Sequence, residues 1–289
     1  MNPVTIQNRS LVNFVVLEFV LSVPFWAIGA LATAGVIPDQ VMVRASWSLT
    51  PMIAATILTY RAGGAAGVAA LFKRIVDFSR VKNRTWYLAV LLTGPSVVFV
   101  QYGLALLSGA GVPAPQLSLL VLIVFVGFFL LSPGEELGWT AYVLDTSLER
   151  WSALTAGLLT GVIWAVMHAP VWFLAGQSLE WCLWQGIFVV AIRVLMTWTY
   201  SNSGRSMLTM DLIHPGFFVW WYLWPGSGTG LSLASFYDPR SLALTAIALV
   251  VVVTFVWGPR TLASFRHPRR QAVSAAAVEV GRAVEGGRP

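Results

Sequence analysis

Charge is the scarcest property of this 289-residue sequence: Asp, Glu, Lys and Arg make up 10% of it, against about 25% in a typical soluble domain. That shortfall excludes an ordinary soluble enzyme, a disordered chain and a nucleic-acid-binding domain. Cysteine is nearly missing, and the single Cys182 excludes a disulfide framework and a thiolate metal cluster. Lysine occurs only at Lys73 and Lys82. No internal repeat is visible, which leaves an inverted-repeat transporter without support. The chain also lacks H-E-x-x-H, G-x-S-x-G, a Walker loop and C-x-x-C. Its glycine-rich stretch at 226–230 has no helix start close behind it and reads as a flexible turn.

What the chain has instead is hydrocarbon. Hydrophobic residues make up 57% and mean hydropathy is +0.74. A helix needs roughly 20 apolar residues to cross about 30 Å of bilayer. Eight stretches qualify as candidates: 11–36, 46–60, 86–107, 117–131, 153–174, 181–200, 207–224 and 242–257. The second is short, and the fourth is expected to run on past Pro133 toward Leu148 as a long, tilted or kinked helix. The fold class is therefore all-α, a polytopic transmembrane helical bundle of about eight spans. With both termini cytoplasmic, 15 of the 18 Lys and Arg fall on the inside. Arg44 and Arg240 fall outside, and Arg193 lies within a span. The net charge of +6 is thus a positive-inside topology signal and no nucleic-acid partner is expected. Small residues at 31–34 resemble a signal-peptide cleavage site, but the long apolar stretch before them and the weakly basic start indicate a retained first helix.

The expected organisation is one transmembrane domain over 1–259 and a disordered, basic cytoplasmic tail over 260–289, rich in Ala, Gly and Arg. Residues 62–85 are expected to form an amphipathic basic segment on the inner leaflet, with Val68, Leu71, Phe72, Ile75 and Val76 at helical spacing between Lys73, Arg74 and Asp77. The bilayer itself is the partner implied for this segment. Trp181, Trp184, Trp198, Trp220, Trp221 and Trp224 read as interfacial belts.

Ionisable side chains at membrane depth are costly and point to function. They are Glu18, Glu135, Glu136, His168, Arg193, Asp211 and His214. Glu18 calls for a structural partner, and Arg193 for an acid. Glu135 and Glu136 follow Pro133-Gly134 and are flanked by Leu130-Leu131 and Leu137-Gly138-Trp139. On a helix they diverge by about 100°, so only one faces a given centre squarely. A glutamate in such a setting is suited to take a proton from water. Trp164 lies one turn before His168 on the same face, and Asp211 lies three residues before His214, where it could orient that ring through its other nitrogen or sit at the inner surface. One histidine on each of two helices and a Glu-Glu pair on a third can converge inside a bundle. The histidines could hold water, stabilise an oxyanion or bind a metal; a proton relay in a small transporter would use the same groups.

These residues resemble the motifs of the CPBP intramembrane proteases, the CAAX-processing and bacteriocin-processing enzymes also called the abortive-infection family. The family's EExxxR is similar to Glu135-Glu136-Leu137-Gly138-Trp139-Thr140, its FxxxH to Trp164-Ala165-Val166-Met167-His168, and its HxxxN or HxxxD to His214-Pro215-Gly216-Phe217-Phe218. The likeness covers about residues 50–224, with the protease-like core at about 117–224. It implies an endopeptidase in the plasma (inner) membrane, with its site open toward the cytoplasm and a membrane-embedded or lipidated peptide or protein as substrate. By the resemblance, Glu135 would activate water, with Glu136 beside it, and His168 and His214 would assist at the water and the scissile carbonyl. A divalent metal such as zinc is compatible with the family, with Glu135, His168 and His214 as its candidate ligands; oligomeric state is left open. The sequence departs from the pattern at Thr140, where the family has arginine, and at Phe218, where it has asparagine or aspartate. Arg193 could supply the lost cation. A chain with these two departures also fits a weak or inactive member that binds a partner or confers bacteriocin immunity.

Overall fold

The computed structural model describes residues 10–38, 46–116, 119–224 and 236–263. The 226–230 stretch, Arg44 and the tail from 264 onward lie outside them. The described residues form an all-helical bundle. Helix α1 is Leu11–Thr33, capped by Ser10, whose hydroxyl accepts from the Asn13 N–H. A 3₁₀ turn, Ser46–Leu49, leads into α2, Thr50–Phe72, with Pro51 in its first turn. Helix α3 is Trp86–Leu107. Helix α4 starts as Leu119–Gly138, continues through a single π-helical stretch, Trp139–Leu144, and ends at Asp145–Leu148. Ser152 caps α5, Ala153–Leu174, and Ser178 caps α6, Leu179–Asn202. Helix α7 is Met207–Gly216, followed by a 3₁₀ turn, Val219–Leu223, and Asp238 caps α8, Pro239–Trp257. In the four capped helices an oxygen acceptor sits where the first-turn N–H groups need one.

Six of these helices, α1, α3, α4, α5, α6 and α8, are long and apolar enough to cross a membrane. The two other stretches expected to span are shaped differently. The 207–224 stretch is broken at Pro215-Gly216, which ends α7 after 10 residues. The 46–60 stretch instead grows longer: α2 runs on past Arg61 to Phe72, with a sharp bend at Gly64 (φ 59°, ψ −159°). A side chain at that φ would be strained. Residues 62–72 of the segment expected on the inner leaflet are therefore the bent end of α2, the rest is turns with a 3₁₀ turn at Phe78–Arg80, and part of the segment is inside the protein. Leu71 is fully buried, and Arg74, expected at the lipid surface, is buried against Asp145 and Tyr200. Its guanidinium also reaches the Ala141 carbonyl (3.3 Å) in the π-helical stretch. Tyr200 in turn donates to Asp145 (2.9 Å).

Helix α6 is the axis of the bundle, with 56% of its apolar window buried, more than any other span. Lipid offers apolar side chains as much as a protein interior does, so close backbone approach through small residues carries helix association. A Cβ on Gly161 of α5 would lie 2.8 Å from Val190 Cα of α6, and one on Gly138 of α4 would lie 2.4–2.6 Å from Pro51 of α2. The tightest approach joins α3 to the end of α7, where a Cβ on Gly94 would lie 1.8 Å from the Gly216 carbonyl oxygen. The contact is one-sided, because a Cβ on Gly216 meets nothing within 4 Å. Gly94→Ala is therefore expected to push α7 outward and destabilise the fold by about 1–3 kcal/mol or more, whereas Gly216→Ala should be tolerated. Melting temperatures of the two variants in one detergent check the asymmetry.

The tryptophans divide differently from a set of belts. Trp221 and Trp224 are buried and pack with Phe236 and Tyr237 beside the start of α8. Trp198 packs edge-on against Trp86 and Trp257.

Candidate active site

Glu136 is the centre of the buried polar cluster and is fully excluded from solvent. Four donors meet its two oxygens. Arg193 of α6 forks across it, Nη1 to Oε2 at 2.9 Å and Nη2 to Oε1 at 2.8 Å. Thr140, one turn further along α4, donates its hydroxyl to Oε2. His214 of α7 approaches Oε1 through Nδ1 at 2.7 Å. A carboxylate has about four lone-pair sites, and these four bonds fill them. An acid so occupied is an orienting group and has no site left for a substrate or water.

Glu135 turns the other way, as adjacent helical positions must. It is half-buried, and its Oε2 accepts the Trp164 indole N–H (2.9 Å). Trp164 ties the second half of the site together. Its backbone carbonyl meets His168 Nδ1 at 2.8 Å. Its ring lies edge-on to both imidazoles, 4.8 Å from His168 and 5.5 Å from His214. The Arg193 guanidinium covers its face at 3.9 Å. Trp47, on the 3₁₀ turn before α2, closes on His168 from the other side (4.8 Å).

These partners fix the histidine tautomers. A carbonyl only accepts, so His168 Nδ1 carries a proton. Glu136, paired with Arg193, is an ionised acceptor, so His214 Nδ1 carries one as well. Both rings are thus held at Nδ1, and each Nε2 stays outside these bonds.

The cluster brings Glu135, Glu136, Trp164, His168, Arg193, His214 and Thr140 together. It does not use Asp211 as an orienting acid: the ring nitrogen in question bonds Glu136, and the buried Asp211 Oδ1 has no partner among the described residues. Phe218 stands 5.8 Å from the His214 ring and offers no side-chain hydrogen bond there. Glu18 lies in a separate polar cluster, accepting from Thr50 (2.7 Å) and Ser22 (3.3 Å). Sequence reasoning missed Trp47 and the buried Arg74–Asp145–Tyr200 cluster. The continuation of α4 to Leu148 was the signal that could have placed Asp145 inside.

A resident divalent metal does not fit these donors. No three His, Cys, Asp or Glu side chains among the described residues form a ligand set. Glu136, filled by its four donors, has no lone pair left for a metal.

Known proteins resemble this chain over the same stretch. The sequence profile of the type II CAAX prenyl endopeptidase Rce1-like family matches residues 116–220, the stretch from the start of α4 through α7. The "CAAX prenyl protease 2" of Methanococcus maripaludis is 22% identical over 185 residues, covering 57% of this chain and 66% of the relative. The match thus stops just short of two thirds of that protein's length. The fold and the site define a multi-pass helical membrane protein with a buried polar cluster of acids, histidines and an arginine. The matches agree with the family resemblance carried by the motifs: residues 116–220 are similar to the Rce1-like CAAX prenyl endopeptidases.

Proposed function

We propose that this protein is an intramembrane endopeptidase in which Glu135 activates the attacking water and His168 and His214 assist. The observation that carries the reading is the division of labour between the two glutamates: Glu136 is bonded by four donors, and Glu135 is bonded by one. Glu135 takes a proton from water as its oxygen adds to the scissile carbonyl carbon. His168 orients that water through its Nε2 lone pair. His214, seated on the Glu136 carboxylate, can carry a second proton and donate Nε2–H to the developing oxyanion. As the C–N bond breaks, Glu135 returns its proton to the leaving amine.

The relative's name and the matching family profile support a prenylated protein terminus as substrate. The Lys and Arg distribution supports two further parts of the reading: a site reached from the cytoplasmic side of the plasma membrane, and a single membrane domain ending near residue 259. One observation favours a second reading, a weak or inactive binding protein: Phe218 faces His214 with a ring and supplies no donor. The test is digestion of a mixed set of prenylated CAAX peptides and transmembrane peptides by purified protein in proteoliposomes. Product termini are read by mass spectrometry, with an active relative run in parallel. New termini on the prenylated peptides are expected. No cleavage of a set that the relative digests overturns the protease reading.

A further inference from the structure

Among the described residues, Arg193 is the fixed charge that touches both halves of the site. Its fork holds Glu136, which holds His214 Nδ1. Its face covers Trp164, which holds Glu135 by the indole N–H and His168 by the carbonyl. We propose that Arg193 is a positioning residue that sets both histidines at once, by fixing Glu136 as an all-acceptor carboxylate and clamping the Trp164 ring. The inference rests on the protease reading for its catalytic consequence, but its structural content stands apart from it.

The packing is built for this contact. Arg193 is 2% exposed, and Gly161, one turn before Trp164 on α5, has no room for a Cβ, which would lie 3.2 Å from Arg193 Cβ. The missing side chain lets α6 come close enough for the guanidinium to lie on the indole. The electrostatics point the same way. Without Arg193, two of the four acceptor sites on Glu136 open in a solvent-free position. Buried acceptor sites without donors are costly, and a carboxylate left with only Thr140 and His214 is no longer held in one orientation. The acceptor that seats His214 Nδ1–H is then free to shift, so the ring loses its fixed partner. A lysine keeps the charge but cannot bond both oxygens in a fork or stack on the ring.

The neighbouring hydroxyl offers a way to separate this role from simple packing. Thr140 already reaches Glu136 from one turn along α4, so an arginine there can restore a guanidinium to the same carboxylate. The experiment compares wild type, Arg193→Lys, Arg193→Gln and the exchange Arg193→Gln with Thr140→Arg, all in the full chain. Ring-nitrogen signals of ¹⁵N-histidine-labelled protein in detergent report the tautomers of His168 and His214. Cleavage of a prenylated peptide reports their alignment.

Arg193→Lys, the variant best able to keep its fold, is expected to broaden or shift the His214 signals from the Nδ1–H form. Its cleavage should fall by about tenfold or more, since misplacement by about 1 Å costs on the order of a hundredfold. Arg193→Gln should fall further, and the exchange should recover the His214 signal and part of the rate. A merely structural Arg193 predicts a lower melting temperature, with wild-type histidine signals and an unchanged pH profile of cleavage in the folded protein. That result overturns the proposal, as does an exchange variant that folds yet leaves His214 unrestored. If wild type cuts nothing, the protease reading fails and the nitrogen signals still decide the role of Arg193.

Discussion

Glu135→Gln is expected to reduce peptide cleavage by on the order of 10²–10⁴-fold, the usual worth of a positioned general base, while leaving the melting temperature nearly unchanged. The glutamine keeps a side-chain oxygen of the same reach, so the bond from the Trp164 indole can survive. What it loses is the negative charge that makes the oxygen basic enough to take a proton from water. Glu136→Gln should behave in the opposite way. Its new NH₂ group must face one of four donors, and the fully buried Arg193 is left without a counter-charge. Removing one partner of a buried ion pair costs about 3–5 kcal/mol, so this variant should melt much lower, with its activity lost through structure. Cleavage rate and melting temperature, measured on both variants in the same proteoliposome and detergent preparations, separate the base from the orienting acid. Equal loss of stability in the two would sink the division of roles. So would retained cleavage in Glu135→Gln.

The membrane class and most spans were legible because they depend on local composition, which a window of about 20 residues captures. The elements whose extent differs from expectation depend on single backbone events. Pro215-Gly216 ends α7 within an apolar stretch that composition alone would carry to Trp224, and Gly64 bends α2 without ending it. Of the site, the residues themselves were legible and their partners were not. Asp211 was the natural orienting acid for His214, because helical spacing only compares positions on one element. The acid that does the work is Glu136, 78 positions earlier in the chain, brought there by the approach of α4 to α7. Arg74 shows the same limit. Its neighbours in sequence mark a lipid-facing basic segment, while its true partners, Asp145 and Tyr200, sit on α4 and α6. The need of Arg193 for an acid could be foreseen from burial cost alone. Which acid it meets depends on where α4 and α6 sit in the bundle, which spacing along either helix does not encode.

Phe218→Asn is expected to raise cleavage by about tenfold to a hundredfold, and this change should act alone. The family pattern that the sequence resembles has a carboxamide or carboxylate at this position. The phenyl ring in its place stands beside His214, where the oxyanion would form. One well-placed oxyanion donor is worth on the order of 10²-fold or more in kcat, and part of that gain is lost if the shorter side chain leaves a void. The other departure needs no repair: Arg193 already presents a guanidinium to the carboxylate that an arginine at 140 would serve. Thr140→Arg in the presence of Arg193 would bury a second cation against one filled acid, so the double change Thr140→Arg with Phe218→Asn should be less stable and slower than Phe218→Asn alone. Rates and melting temperatures of the single and double variants test this ordering. A wild type that cuts slowly and a Phe218→Asn that cuts faster identify a protease working without one donor. A silent wild type that is awakened by Phe218→Asn means that the base, both histidines and their clamp have been kept for binding, with the phenyl ring as the block to turnover. If Phe218→Asn folds and gains nothing over an active wild type, the donor comes from elsewhere, and the phenylalanine is part of the substrate's apolar seat.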